Sequence, residues 1–213
     1  MGAGRCRGGD PSLSDLGQAQ AERLGGLYSD DRISHFYASP LVRAQESGGP
    51  IAKRLGREPV TLDWLREMDL PPMTGMPWLE IEAFFKAYRA RPLDEWWHGP
   101  DGEEDYRELF SRVSAGIDEL LRSEFDSRPT EDPEDRLYST PGQTGHILIV
   151  AHIGTIDTIV CHLMGYPLRP WIYEKMSLGY AGICRLRMVP LAGRWAWSLT
   201  SFNDRTHLGD DIL

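Results

Sequence analysis

A single arginine stands where a predicted strand runs into a predicted helix. The segment Ile33–Ala38 has the composition of a short buried strand, and Ser39 and Pro40 then turn the chain into a helix that contains Arg43. A guanidinium group at this position can bind two phosphate oxygens at once, a geometry that a lysine ammonium group does not match. Taken alone, Arg43 would be interpreted as an ordinary surface arginine.

A histidine follows a second apolar strand in the same way. The continuous apolar run from His146 to Ala151 is typical of a central strand covered on both faces, and it ends at His152. Because a helix from Thr155 to Met164 follows, the imidazole is next to a helix N-terminus and could hydrogen-bond a phosphoryl oxygen. Ligands bind at the carboxyl ends of strands in α/β sheets, although a lone histidine is more often structural.

The elements that position these residues alternate between helices and strands. Apolar periodicity also predicts a helix capped by Ser14, helices over Leu79–Arg91 and Glu103–Phe125, and a C-terminal hairpin of Gly182–Met188 with Trp195–Ser201. This order predicts one domain over residues 1–213, of the α/β class, with three α/β/α layers and a mostly parallel mixed sheet. The segment 127–145 is polar and contains three prolines, which indicates a flexible loop.

The composition limits the class of partner. The chain has 32 acidic and 23 basic residues and a formal net charge of −9, which opposes nonspecific binding to nucleic acid and anionic membranes. No apolar run approaches the roughly 20 residues that cross a bilayer, and Met1–Asp10 lacks the apolar stretch of a secretory signal. The three cysteines form no CxxC pair, which favours a reducing compartment. We expect a cytoplasmic protein without nucleic-acid or membrane partners, and the oligomeric state stays open.

Taken together, the segments resemble the histidine phosphatase superfamily, which includes cofactor-dependent phosphoglycerate mutase. Each motif is weak by itself, and their collinear order carries the resemblance. The matching stretches are Asp10–Ala21, Ala38–Ser47, Leu65–Glu67, Gly102–Glu104, Ile149–Thr155 and Phe202–Leu208. The resemblance implies a phosphoglycerate mutase-like fold and a phosphatase or mutase that acts on a small phosphorylated molecule, with no metal or organic cofactor.

The resemblance also implies roles for three residues. Arg43 would bind the transferred phosphoryl group, His152 would bind it and stabilise its charge in the transition state, and Glu67 would protonate the leaving oxygen. The alternative carboxylates for this last role are Glu82, Glu103 and Glu104.

The chain departs from the family at its start. Members of the family begin with an apolar strand ending in Arg-His-Gly, whose histidine is phosphorylated during turnover, and nothing of this kind precedes Asp10. Cys6, between two arginines, could form an activated thiolate, but too few residues precede it to make the strand. We therefore predict either a hydrolase whose histidine lies upstream of this sequence, or a catalytically inactive pseudophosphatase that binds a phosphorylated ligand or a partner protein.

A metal site is a third hypothesis, from a different class. The side chains of suitable type are His146, His152, Cys161 and His162. However, His152 and His162 do not share a helix face, and no pair has a recognised zinc spacing. The sequence therefore ranks a metal site far behind the phosphate site.

Overall fold

Helices and strands alternate along the chain as the sequence predicts. The computed structural model describes residues 10–28, 32–68, 71, 73, 76–99, 104–130 and 136–209. In chain order, its main elements are α1 (Asp15–Gly25), β1 (Ile33–Ala38), α2 (Val42–Leu55), β2 (Val60–Thr61), α3 (Trp78–Arg89), α4 (Tyr106–Phe125), β3 (His146–Val150), α5 (Ile153–Leu163), β4 (Ile183–Leu191) and β5 (Arg194–Asp204). These bounds confirm the predicted helices and strands to within a few residues. The two-residue strand β2 has no counterpart in the sequence prediction.

The β-structure consists of a parallel sheet and an antiparallel hairpin. The parallel strands have the order β2, β1, β3, and they are connected through helices, as parallel pairing requires. Strands β4 and β5 pair with each other around Ala192 and Gly193, which both have positive φ (48° and 75°). Among the described residues the hairpin is a separate sheet. The α/β fold with a parallel sheet is therefore confirmed, and within the described ranges the hairpin strands do not pair with that sheet.

Strand β3 lies at an edge of the parallel sheet in the part of the chain that is described. Its apolar sequence predicted a central strand, but Ile147–Val150 are half-buried rather than fully covered. One edge of β3 pairs with β1, and no described strand pairs with the other edge. Strands of parallel sheets are normally covered on both faces. The edge position therefore leaves part of the apolar surface of β3 accessible.

Alternate residues of β1 reach two apolar clusters, one on each face of the sheet. Phe36 packs with Ile51 and Ala52 of α2, and the partly buried Leu24 of α1 packs against them. Tyr37 packs in the larger cluster, which contains the buried residues of α4, among them Val113, together with Ile159 and Leu163 of α5. Successive strand side chains point to opposite faces, so one strand joins the two helical layers into an α/β/α arrangement.

Helix α4 has the predicted apolar stripe and a capping box. The stripe residues Tyr106, Leu109, Phe110, Val113, Ile117, Leu120 and Leu121 are all buried. The Asp105 side chain accepts a hydrogen bond from the Glu108 N–H (2.9 Å), and the Glu108 carboxylate accepts one from the Asp105 N–H (2.9 Å). This reciprocal pair satisfies two N–H groups at the helix start. It fixes the beginning of the helix that carries Arg112.

Tyr138, in the segment 127–145, packs against the hairpin. Residues 131–135 lie outside the described part. Tyr138 is fully buried and exchanges two backbone hydrogen bonds with Trp195 (2.7 and 3.0 Å). Its hydroxyl also accepts a hydrogen bond from Arg136 (2.9 Å). A buried ring whose polar end is satisfied packs as a core residue, which explains why this polar segment is held in place.

The described residues include no helix that is both long enough and apolar enough to span a bilayer. Cys161 and Cys184 are free thiols. Cys6 lies outside the described residues.

Replacing Tyr138 by alanine should destabilise the protein strongly, because the ring is 0% exposed and its removal leaves a cavity beside the hairpin. We expect the free energy of unfolding to fall by about 3–5 kcal/mol, measured by urea denaturation. The matched control is Tyr180→Ala, since Tyr180 is 86% exposed and its loss should cost less than about 0.5 kcal/mol. Equal effects of the two variants would show that segment 127–145 contributes nothing to the core.

Candidate active site

Two strand ends meet at one edge of the parallel sheet. In the register of β1 with β3, Ala38 lies opposite Val150, and the Ser39 N–H donates to the Val150 carbonyl (2.9 Å). This pairing brings Ser39 beside His152, and a hydrogen bond of 2.8 Å joins Ser39 Oγ to His152 Nε2. Because Ser39 is fully buried, the bond fixes the position of the imidazole.

Arg43 stands in the first turn of α2 and is held by a distant carboxylate. Its Nη1 lies 3.3 Å from Asp10 Oδ1. Asp10 also accepts hydrogen bonds from the Val42 N–H (2.9 and 2.8 Å), one of the N–H groups that a helix leaves unpaired at its start. The charge of Arg43 acts on both His152 and Glu67. The three side chains proposed from the sequence therefore lie near one another.

Glu67 is partly buried and lies against the start of α5. Its Oε2 accepts a hydrogen bond from the Gly154 N–H (2.9 Å), and its Oε1 accepts one from the Met68 N–H (3.0 Å). Desolvation raises the pKa of Glu67, while these two N–H groups and the charges of Arg43 and Arg112 act in the opposite direction. A raised pKa favours the protonated form, which a proton donor requires.

Arg112 holds the loop that carries Glu67. Its Nη1 donates to the Arg66 carbonyl (2.9 Å), and its guanidinium binds both carboxylate oxygens of Glu104 (2.9 Å each). From α5, the Thr155 hydroxyl donates to the same Arg66 carbonyl (2.8 Å). Helices α4 and α5 together therefore fix the backbone immediately before Glu67.

His152 is held as a neutral imidazole. Burial, together with the charges of Arg43 and Arg112, lowers the pKa of His152 to about 3. A neutral ring has one N–H that can donate to an oxyanion. The positive charge at this edge of the sheet therefore comes from the two arginines, and the imidazole can contribute a hydrogen bond.

The arrangement combines fixed positive charge, a neutral imidazole and a protonatable carboxyl group. Such a set can bind a tetrahedral oxyanion and stabilise charge that develops on it, while the carboxyl group supplies a proton. The residues that the sequence proposed and the structure brings together are Arg43, Glu67 and His152. The residues that sequence reasoning missed are Asp10, Ser39 and Arg112. Their contacts join segments that are distant in the sequence, so no local spacing predicts them.

The alternative proton donors are placed differently from Glu67. Glu104 Oε1 lies 2.7 Å from Arg112 Nη2, and both oxygens of this carboxylate are engaged by the guanidinium group. Glu82 is exposed on α3. Glu103 lies outside the described residues. Among the candidates that are described, Glu67 is the carboxyl group at the strand ends.

The four side chains of the metal hypothesis lie apart. His146 and His152 flank opposite ends of β3, and His162 Nε2 contacts Asp118 on α4 at 3.0 Å. Within the described ranges, no group of three or more histidine, cysteine, aspartate or glutamate side chains is placed to hold a metal ion.

Replacing Gly154 by alanine should displace Glu67, because a Cβ atom there would lie 2.3 Å from Glu67 Oε1. We expect the variant to lose about 1–3 kcal/mol of unfolding free energy, as overpacked sites do, measured by urea denaturation. Gly49→Ala is the control, since a Cβ atom at this helical glycine meets nothing within 4 Å and should stabilise by about 0.5–1 kcal/mol. Stabilisation by both substitutions would contradict the close approach of Glu67 to α5.

Replacing His152 by glutamine should reduce the fall in unfolding free energy that acid pH causes. The folded-state pKa of about 3 lies below the ordinary value, so the unfolded chain takes up the proton first. The stability that depends on neutral His152 is complete above about pH 6.5 and is lost as pH falls toward the folded pKa. Between pH 7 and 4 we expect the unfolding free energy of the wild type to fall by roughly 2–3 kcal/mol more than that of the variant. Urea denaturation at each pH measures this difference. His146→Gln, at an exposed position, is the control and should show the wild-type dependence of unfolding free energy on pH. The same dependence in His152→Gln would refute the link between acid stability and His152.

Comparison with known proteins places the chain in a family. Residues 3–130 match the model described as "Histidine phosphatase superfamily (branch 1)". A glucosyl-3-phosphoglycerate phosphatase of Mycolicibacterium vanbaalenii is 28% identical over 217 aligned positions, which cover 96% of this chain and 88% of the relative. A putative phosphoserine phosphatase 2 of Hydrogenobacter thermophilus is 27% identical, covering 84% and 78%. The solved structure of a mycobacterial glucosyl-3-phosphoglycerate phosphatase shares the fold, with a TM-score of 0.67 and 23% identity over 91% of this chain and 88% of that one. The chain therefore belongs to the histidine phosphatase superfamily.

Proposed function

We propose that this chain is a phosphoric monoester hydrolase that acts on a small phosphorylated molecule by a phosphohistidine mechanism. The observation that carries the proposal is the placement of Arg43, Glu67 and His152 around one edge of the parallel sheet. Relatives named for activity on glucosyl-3-phosphoglycerate and on phosphoserine support this class of substrate. A chain with a net charge of −9 needs such a local concentration of arginine to attract an anion.

Each side chain has a chemical task in this proposal. Arg43 binds two oxygens of the phosphoryl group, and the His152 N–H donates to a third as negative charge accumulates during transfer. When the bond between phosphorus and the ester oxygen breaks, Glu67 gives its proton to that oxygen. The phosphoryl group passes to a histidine nitrogen, and water then releases it as inorganic phosphate.

The nucleophilic histidine is the part of the mechanism that this sequence does not supply. Its first histidine is His35, whose ring packs on Phe125 and lies 3.5 Å from Glu124. We propose that the nucleophile comes from an apolar strand at the edge of β3 that no described strand occupies, because a parallel strand there would end beside His152. The half-buried apolar side chains of β3 support this placement, since a neighbouring strand would cover them.

A pseudophosphatase is the second candidate. In this candidate no nucleophile acts at the site, and removal of a hydrolase nucleophile can cost on the order of 10⁶ in turnover. The oxyanion-binding side chains would then serve to bind a phosphorylated ligand or a partner protein, without hydrolysis.

Replacing Arg43 by lysine should weaken the binding of tungstate, a tetrahedral dianion that stands in for phosphate. We expect a loss of about tenfold or more in affinity, because lysine cannot form the bidentate contact. Calorimetry measures the affinity directly. Arg54→Lys is the control, since Arg54 is exposed on the same helix and the substitution should leave binding unchanged. Wild-type protein that binds no tungstate would overturn the phosphate site.

Imidazole added to the protein should restore hydrolysis if Arg43, Glu67 and His152 act as proposed. Without it we expect essentially no turnover of phenyl phosphate, whose poor leaving group demands a proton donor. With imidazole as an external nucleophile we expect saturable phenol release that Glu67→Gln reduces by about 10²–10⁴. Glu82→Gln, a change at an exposed position, should retain full rescue. Tungstate binding without any rescue would favour the pseudophosphatase.

A further inference from the structure

Asp157 is a buried acid that the proposed mechanism does not use. Its side chain is 0% exposed, and neither carboxyl oxygen has a hydrogen-bond partner among the described residues. Asp157 follows Gly154 by three residues in α5, which places the two on the same face of the helix. Gly154 is the residue whose N–H binds Glu67. The two carboxyl groups therefore lie on the same side of α5.

The groups that act on Asp157 are acidic or neutral. Glu67 influences it from the loop between β2 and α3, and Asp157 in turn acts on Cys161 of α5, on Tyr173 and on Cys184 of β4. Burial and the charge of Glu67 raise the pKa of Asp157 to about 8. A buried carboxyl group without a cation or a hydrogen bond is most stable when it keeps its proton.

Burial raises the pKa of Glu67 as well, but Glu67 has partners that Asp157 lacks. Two backbone N–H groups bind its oxygens, and the charges of Arg43 and Arg112 act against the effect of burial. Two nearby carboxyl groups in a partly dry site do not ionise together at low cost. Glu67 is therefore the member of the pair that can carry a charge, and Asp157 is the member that stays neutral.

We propose that Asp157 is a positioning residue for the proton donor: it remains a neutral carboxylic acid next to the site, so that Glu67 alone carries negative charge after its proton has passed to the leaving oxygen. This inference rests on the proposed function. In the step concerned, a bond forms between phosphorus and the attacking nitrogen, and the bond to the ester oxygen breaks. The proton of Glu67 moves to that oxygen, and Glu67 is left as a carboxylate. Ionised Asp157 would oppose this charge and that of a bound phosphate.

Carboxyl-carbon NMR of protein labelled at aspartate tests the state of Asp157 directly. The signal absent from Asp157→Asn, or from Asp157→Ser if the asparagine variant does not fold, identifies the residue. We expect this signal to titrate near pH 8 in the wild type, and at lower pH in Glu67→Gln, because the neighbouring charge is then removed. Titration of Asp157 below pH 5 in the wild type, or an unchanged midpoint in Glu67→Gln, would overturn the inference.

Tungstate affinity between pH 7 and 9 supplies the second readout. We expect wild-type affinity to fall about tenfold over this range as Asp157 ionises near the bound anion, while Asp157→Asn keeps its affinity. Asp94→Asn removes an exposed carboxylate and should follow the wild type. Equal pH dependence in wild type and Asp157→Asn contradicts the role of Asp157 but leaves the phosphate site standing. No tungstate binding at any pH contradicts the proposed function, and the NMR titration then still reports whether Asp157 keeps its proton.

Discussion

The parallel pairing of β1 with β3 controls the geometry of the site, because it aligns the points at which two strands end. With Ala38 opposite Val150, the residues that follow are forced together at one sheet edge, and Ser39 reaches His152. A shift of one residue in this register would turn every side chain of the strand to the other face. The apolar clusters on the two faces oppose such a shift, since Phe36 and Tyr37 belong to different clusters. The core therefore protects the alignment on which the site depends.

The charges around the strand ends keep the acid–base groups in unusual states. Burial, and after it the charges of Arg43 and Arg112, disfavour a further positive charge, so the pKa of His152 is lowered and the ring stays neutral. Glu67 sits near the same arginines, yet desolvation outweighs their attraction and raises its pKa. Both effects follow from partial burial, which penalises the charged form of any group. An anion entering the site would supply the negative charge that this arrangement lacks.

Two helices give the site its rigidity. Helix α4 is fixed at its start by a capping box and along its length by a buried apolar stripe, and from this base Arg112 binds the Arg66 carbonyl. Helix α5 binds the same carbonyl through Thr155 and offers a free N–H group to Glu67. Side chains that bind ligands work best on elements whose own positions are determined by packing. Glu67, although it stands in a loop, is held in this way from both sides.

The sequence by itself determined the α/β class and most of the elements, and it pointed to three residues of the candidate site, because apolar periodicity and the types at strand ends are local properties. Arg43 and His152 could be found in this way, and Glu67 through the order of the motifs. Only the tertiary structure revealed the partnership of Arg43 with Asp10, the clamp of Arg112 on the Glu67 loop and the unpaired carboxyl group of Asp157. It also decided that Tyr138 is buried and that the hairpin forms its own sheet. These features depend on contacts between segments far apart in the chain, and burial and charge there are set by neighbours that no local pattern specifies.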